Sequence, residues 1–342
     1  QKEGFTVSGS DARESAFTEQ LGARGIQVYI GQRRENLSAP VDYVVYTAAI
    51  HPDNPEFLEA KRLGIPMLSR AELLGQLMRC YRESIAVSGT HGKTTTTSML
   101  SHILLTAEKD PTISLGGNLD AIGGNIRVGG SETFLLEACE YTNSFLSFFP
   151  TLEIILNIEA DHLDFFKDLD DIRRSFRRFV QRMPENGALV IDNRIRNYRE
   201  IVGDFKGRVT TVGTAEADYY PTDIRFDERG NAAFTPSEHG KALPRIQLAV
   251  PGEHNVYNAL AALAARRLRA LRFDKQTIKD VSRLVELHLR FHGYGEAAWS
   301  DSAVRRYVAD AGDLLERLHR LTRADCTTRN RRKANFLSSA YD

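Results

Sequence analysis

At 342 residues the chain is long enough for two or three domains of ordinary size, each able to bury its own core. Lys+Arg and Asp+Glu balance at 45 each, so no global field recruits nucleic acid or an anionic membrane, and any anion must be held locally. No window reaches the ~18 apolar residues of a membrane span. The N-terminus "QKEGFTVSGSD" has no signal-peptide h-region. The three cysteines (Cys80, Cys139 and Cys326) form neither a C-x-x-C pair nor a disulfide framework. These features predict a soluble cytoplasmic protein, with the cysteines buried as small hydrophobes and with no nucleic-acid or membrane partner.

Along the chain, short apolar runs first alternate with helix-like stretches: "FTVSGSD", "ESAFTEQLGARG", "IQVYIG", "VDYVVYTAAI", "NPEFLEAKRLG" and "IPML". This predicts a Rossmann-like α/β domain over residues 1–82, with parallel strands and crossover helices. A nucleotide-binding sheet of this kind normally opens on a strand and a Gly-rich turn, and here that opening is absent.

A second unit, residues 83–273, starts with the strand "SIAVSG" and continues through "TFLLEACE", "EIILNIEADH", "GALVIDN" and "RVTTVG". In "ADYYPTDIRFDERGNAAFTP" the alternation and the Asp-Glu-Arg-Gly turn predict an antiparallel hairpin added to this α/β core. Pro251 and Gly252 then precede an Ala/Leu-rich helix. Residues 274–342 carry weaker signals and predict a small or incomplete C-terminal α/β domain. "SAVRRYVADAGDLLERLHRL" is an amphipathic helix, and the arginines of "TRADCTTRNRRKANFLSSAYD" read as a solvated tail.

The chemistry is concentrated in "AVSGTHGKTTTTSML". A strand that feeds a glycine-rich turn and then a helix surrounds an anion with backbone N–H groups and the positive end of the helix dipole, which holds phosphate. Gly89, Thr90, His91, Gly92, Lys93, Thr94 and Thr95 form this loop, a short G-x-x-G-K-T version of the P-loop that has Val87 where the usual first glycine stands. Lys93 is placed to reach the terminal phosphates of a nucleotide, and the hydroxyl of Thr94 or Thr95 to ligate Mg²⁺.

Two strand ends add side chains able to bind metal. Glu137 follows the apolar strand of "TFLLEACE", and Asp161 and His162 follow that of "EIILNIEADH". Residues at the carboxyl ends of neighbouring parallel strands face one crevice, where a carboxylate and an imidazole can hold Mg²⁺ against the γ-phosphate of ATP and a second substrate. Standing alone, Glu137 reads as a surface turn acid and His162 as a helix N-terminal hydrogen-bonder. At the start of the last helix of this unit, His254, Asn255 and Asn258 offer amides that can pair with an adenine edge; Asn255 serves equally as a helix cap.

With these residues in place the chain resembles the Mur ligases, ATP-dependent amide-forming enzymes of peptidoglycan synthesis. The strings "TAAIHPDNPE", "AVSGTHGKTTTTSML", "GGNLDAIGGNIRVG", "LLEACEYTNSFLSFFPT", "ILNIEADHLDFFKDLDDI" and "PGEHNVYNALAA" carry the likeness, in order, across Gly4 to Ala265. The resemblance implies that the first domain binds the UDP part of a sugar nucleotide and the second binds ATP. Lys93, Glu137 and His162 would be the catalytic residues, with Thr94, Glu137 and His162 on metal and His254, Asn255 and Asn258 near adenine.

By the same likeness Asn118, Glu140 and Asn143 would face the muramoyl end of the substrate, and Arg290 in "LRFHGYGE" would contact phosphate. Within the family the likeness is greatest to the alanine-adding members. That implies L-alanine and UDP-N-acetylmuramate as substrates, ATP and Mg²⁺ as cofactors, and a monomer or weak homodimer. A sister ligase for another amino acid or peptide, or a non-catalytic module binding ATP and a UDP-sugar, remains the alternative.

The chain also departs from the family pattern. About twenty leading residues, including the Gly-rich turn, are expected to be missing. "DIRRSFRRF" supplies only arginines where some sister ligases carry a carbamylated lysine, and the Asp-Tyr-Ala/Gly-His-His-Pro motif of the third domain is not found.

Overall fold

The computed structural model describes residues 1–2, 4–37, 40–267, 308–309 and 311–312. The chain divides into two compact units, Gln1–Leu77 and the part from Met78 on. Arg290, most of the helix expected near residues 302–321 and most of the expected C-terminal domain lie outside the described residues.

In the first unit the order is β1 (Ser8–Asp11), α1 (Ala16–Ala23), β2 (Gln27–Ile30), β3 (Val44–Tyr46), α2 (Pro55–Arg62), β4 (Met67–Ser69) and α3 (Arg70–Met78). The expected parallel strands form, but as two separate pairs, β1 with β2 and β3 with β4. Periodicity predicts that a run is a strand and says nothing of its partner, and runs of three or four residues contribute few ladder bonds. Helix α2 starts sharply because Asn54 accepts from the backbone N–H groups of Glu56 and Phe57 and Pro55 fills the first turn.

The second unit runs β5 (Glu83–Ser88), α4 (Lys93–Thr106), β6 (Thr112–Leu119), β7 (Gly124–Arg127), β8 (Thr133–Glu137), β9 (Leu152–Ile155), α5 (Leu169–Val180), β10 (Ala188–Asp192), α6 (Tyr198–Val202) and β11 (Arg208–Val212). It continues with β12 (Tyr219–Phe226), β13 (Asn231–Glu238), β14 (Lys241–Ala242), β15 (Ile246–Pro251) and α7 (His254–Arg267). Among the described residues these strands make one eleven-stranded sheet, ordered β14-β13-β12-β11-β10-β9-β5-β8-β6-β7, with β15 on β13. Strands β11, β10, β9, β5, β8 and β6 are parallel; β12 to β15 add the antiparallel edge that the hairpin pattern predicts. Strands β6 and β7 were not foreseen, because Gly116-Gly117 inside "TISLGGNL" reads as a turn.

Strands β5, β8, β9 and β10 are buried along nearly their whole length, as a parallel sheet covered on both faces requires. Ile85, Val87, Ile154 and Val190 pack with Leu100 and Leu104 of α4 and with Val256 and Leu260 of α7. Each such side chain stabilises the fold by ~1.5–3 kcal/mol over its exposed state. The alanines of α7 let that helix lie close to the sheet and to α4. A separate aromatic cluster joins Phe145 to Phe176 and Phe179 of α5, with ring centroids 5.2 and 4.5 Å apart. Helix α5 begins where Asp168 accepts from the Asp171 N–H at 2.8 Å.

This order places a topological switch point at β5. The chain leaves β5 through α4 toward β6, returns at β8 on one side of β5, and then crosses to β9 on the other. A crevice therefore opens at the carboxyl ends of β5, β8 and β9.

Candidate active site

The turn from β5 into α4 lies in that crevice. Gly92 caps α4 with φ of 84°, and no side chain caps the helix, so its first N–H groups are left to an anion. The turn is held from β9. Asn157 accepts at its backbone oxygen from the Thr90 N–H (3.1 Å) and at Oδ1 from the His91 N–H (2.7 Å), and its Nδ2 donates to the His91 carbonyl (3.0 Å). Thr90 Oγ1 accepts from the Glu159 N–H at 2.9 Å. Asn157 thus shapes the loop, a role the sequence reading did not assign; its signal was an amide directly after a buried strand, within "LNIEADH". His91 and Thr94 are exposed and Thr95 is half-buried.

Lys93 folds back over its own loop. Its Nζ donates to the carbonyls of Gly89 (2.6 Å) and Thr90 (3.0 Å) and to Glu140 Oε2 (3.0 Å). The Glu140 side chain is 2 % exposed and Lys93 17 %. Glu140, grouped by resemblance with the substrate-binding residues, is therefore the carboxylate partner of the loop lysine. His162 lies on the same carboxylate, with Nε2 3.8 Å from Glu140 Oε1 and 3.9 Å from Asp161 Oδ2.

Glu137 ends β8 and turns toward β6. Its Oε2 accepts from the Gly116 N–H, while its Oε1 is buried without a hydrogen-bond partner. A Cβ on neighbouring Gly117 would stand 3.3 Å from Thr94 Cγ2, which places the Thr94 side chain beside this stretch of β6. An orphaned buried carboxylate oxygen is costly unless a cation or donor meets it, so the donor set of Glu137 and the Thr94 hydroxyl fits a hard divalent cation. Among the described residues no three His, Cys, Asp or Glu side chains converge as a self-sufficient metal cluster, so most ligands of such a cation would be phosphate oxygens and water.

The start of α7 reaches the same loop. Asn258 packs its amide on Gly92: a Cβ there would stand 2.6 Å from Asn258 Oδ1. Asn255 does not serve as a cap; its Nδ2 donates to the Pro251 carbonyl (2.8 Å) and its Oδ1 accepts from Asn258 Nδ2 (2.9 Å). His254 is exposed beside Gly252. Of the residues assigned to substrate by resemblance, Asn118 is exposed on β6 beyond the two glycines, and Asn143, at φ of 59°, accepts at Oδ1 from the Ser175 hydroxyl of α5.

Cys80 and Cys139 are exposed, contrary to the expectation that they would be buried. Cys139 lies on the turn between Glu137 and Glu140, where chain geometry and not apolarity fixes it. Partial burial of its sulfur and the nearby carboxylates push the thiol up, against the lowering influence of the Tyr141 backbone and Lys93.

A parallel sheet covered on both faces, with a glycine- and lysine-bearing turn at its switch point, defines a P-loop type α/β fold. The chain belongs to the Mur ligase family: the family's middle domain matches residues 87–266 and its catalytic domain residues 1–82. It is 57 % identical over 264 residues to the UDP-N-acetylmuramate–L-alanine ligase of Agathobacter rectalis, covering 77 % of this chain and 58 % of that relative.

Among solved structures it is similar to the UDP-N-acetylmuramate–alanine ligase of Thermotoga maritima, with TM-score 0.70, 28 % identity, and 92 % of this chain and 74 % of that one covered. It is also similar to the UDP-N-acetylmuramate:L-alanyl-gamma-D-glutamyl-meso-diaminopimelate ligase of Neisseria meningitides, with TM-score 0.71, 28 % identity, and 82 % and 90 % covered. The chain spans 58–62 % of the length of the first curated relatives that it matches. Among the described residues no helix is long and apolar enough to cross a membrane.

Proposed function

We propose that the protein is an ATP-dependent ligase of the cytoplasm that joins L-alanine to the carboxylate of UDP-N-acetylmuramate in peptidoglycan precursor synthesis. The observations that support this reading are the Lys93–Glu140 pair at the turn after β5 and the buried, unpartnered Glu137 Oε1 at the end of the neighbouring strand β8, in a chain 57 % identical to a relative bearing that name. The Gln1–Leu77 unit would bind the UDP moiety, and the part from Met78 on would bind ATP.

A carboxylate is a poor acyl donor, so one of its oxygens attacks the γ-phosphorus of ATP, the bond to the β-phosphate oxygen breaks, and an acyl phosphate and ADP form. The neutral amine of L-alanine then adds to the acyl carbon. The tetrahedral adduct expels phosphate and gives up the amine proton to phosphate or water. Lys93 exchanges Glu140 for the γ-phosphate and neutralises its charge. The open N-terminus of α4 holds the β-phosphate, and Asn258 orients the base. Thr94, Glu137 and His162 would hold Mg²⁺, which when bound supplies charge neutralisation on the phosphoryl oxygens. No protein nucleophile is required.

The test is phosphate release by the full chain with ATP, Mg²⁺, UDP-N-acetylmuramate and L-alanine, with mass spectrometry of the sugar nucleotide. Release that needs both substrates and adds one alanine supports the reading. Release equally fast without either overturns it. A second reading, a sister ligase that adds a peptide, is favoured by the similarity to the Neisseria enzyme, and it predicts product with a peptide substrate and none with L-alanine. Tight ATP binding with no product from any amino acid or peptide would leave a binding module.

A further inference from the structure

His162 has a side chain whose orientation its polar contacts do not explain. Its backbone is in the left-handed region at φ of 51°, and Nε2 makes only loose contacts, at 3.8 and 3.9 Å, with Glu140 and Asp161. A flat face does meet the imidazole. The Tyr141 ring lies 4.6 Å from it, centroid to centroid, at 35°.

Tyr141 is itself fixed, its hydroxyl donating to Asp164 Oδ2 at 2.8 Å, and the edge of Phe165 stands 6.2 Å from its ring. The chain turns back after His162, whose carbonyl accepts from the N–H groups of both Phe165 and Phe166 at 2.9 Å. Tyr141 thus spans the turn, touching the imidazole with its ring and the aspartate two residues later with its hydroxyl. Tyr141 also directly follows Glu140, the carboxylate that Lys93 holds.

We propose that Tyr141 is a positioning residue: its Asp164-anchored ring holds the His162 imidazole with Nε2 turned toward Glu140 and the phosphate crevice, so that the metal-facing edge is formed before nucleotide arrives. This rests on the reading of His162 as a metal-facing residue. A stacked ring fixes an imidazole plane without using its nitrogens, which leaves Nε2 free for a ligand.

The test uses the full chain with Tyr141→Phe, Tyr141→Leu, Asp164→Ala and Asp164→Asn, each first shown to unfold at the wild-type denaturant midpoint. The probes are Mn²⁺ titrated by electron paramagnetic resonance with ADP present, metal-free ADP binding by calorimetry, and the ring-proton shifts of His162 by NMR, assigned with His162→Asn. In the wild type the imidazole protons are expected upfield, under the ring current of Tyr141. Tyr141→Leu abolishes that shift and weakens Mn²⁺ ~10-fold, while metal-free ADP binding stays within about twofold.

Tyr141→Phe and Asp164→Ala each weaken Mn²⁺ a few-fold and do not add in the double variant, since both remove one hydrogen bond. Asp164→Asn, which still accepts from the phenol, retains wild-type affinity. Unchanged His162 shifts in Tyr141→Leu, or additive losses in the double variant, would overturn the inference. A wild type that shows the ring-current shift but binds no Mn²⁺ with ADP would instead remove the metal reading of the site and leave the positioning standing.

Discussion

Lys93 and Glu140 are ion-paired inside the phosphate turn, Nζ to Oε2 at 3.0 Å, and the glutamate is all but sealed from solvent. In the proposed function a phosphate claims this lysine, so the carboxylate would compete with the ligand while keeping the ammonium in place. Glu140→Gln is expected to bind a metal-free, non-hydrolysable ATP analogue, which carries the γ-phosphate that Lys93 would contact, several-fold more tightly, as measured by calorimetry in chelator. Unchanged or weaker binding would show that the pair does not compete with phosphate.

The same pair sets a cost on losing the lysine. Lys93→Met leaves Glu140 as a nearly buried charge without its counterion and should lower unfolding stability by on the order of 2 kcal/mol. The double variant Lys93→Met, Glu140→Gln should recover most of that in denaturant melts while remaining unable to turn over ATP. Equal stability of all three chains would contradict the burial argument.

Gly116 lets β6 approach the carboxylate of Glu137, and a Cβ there would collide with Oε2. The colliding atom is the free end of a side chain, so Glu137 can swing aside and Gly116→Ala should cost under about 1 kcal/mol. The displaced carboxylate should nevertheless weaken Mn²⁺ binding in the presence of ADP by ~10-fold. Full metal affinity in this variant would argue against Glu137 as a ligand.

At Gly92 there is no such freedom. Its φ of 84° disfavours any side chain, and the facing Asn258 amide is buried and tied to Asn255. Gly92→Ala should cost ~1–3 kcal/mol and reduce ADP affinity at least ~10-fold. Denaturant melts and calorimetry on the same preparation measure both.

Glu153 sits in the middle of the central strand β9, fully buried, with Oε2 unpartnered and only a 3.5 Å contact from the Ser88 hydroxyl to Oε1. Burial pushes its carboxyl well above the ordinary value of 4.5. Below that value folded and unfolded chains are both protonated and stability is complete. As pH rises further the unfolded chain ionises while the folded one keeps its proton, so stability falls by up to ~1.4 kcal/mol per pH unit until the folded carboxyl also ionises. Glu153→Gln removes this slope, and its advantage over wild type in urea melts should grow as pH rises above about 5. A pH-independent difference would mean that Glu153 is ionised in the fold.

Much of this arrangement was legible in the sequence because strand ends report it. The apolar runs before Gly89, Ala138 and Leu156 announce buried parallel strands, and a parallel sheet brings whatever follows them to one edge. The glycines and lysine of the loop, Glu137 and His162 could therefore be gathered without coordinates. Partnerships between distant side chains could not. Nothing local in "EACEYTN" says that Glu140 meets Lys93, that Asn143 meets Ser175, or that Tyr141 meets His162, since each depends on how the turn after β8 folds over α5 and β9. Strands β6 and β7 were hidden by Gly116-Gly117, whose role is close approach to Glu137 and not a turn. Glu153 was missed because a lone acid in "LEIIL" reads as an outward-facing position, whereas a sheet covered on both faces leaves it nowhere to point.

The most direct measurement is a crystal structure of the full chain with a non-hydrolysable ATP analogue and Mn²⁺, with the metal located by its anomalous signal. An Mn²⁺ peak is expected about 2.1 Å from Glu137 Oε1 and Thr94 Oγ1, with Lys93 Nζ moved from Glu140 onto the γ-phosphate. A nucleotide bound away from the Gly89–Thr95 turn, or Lys93 still on Glu140 with phosphate present, would contradict it.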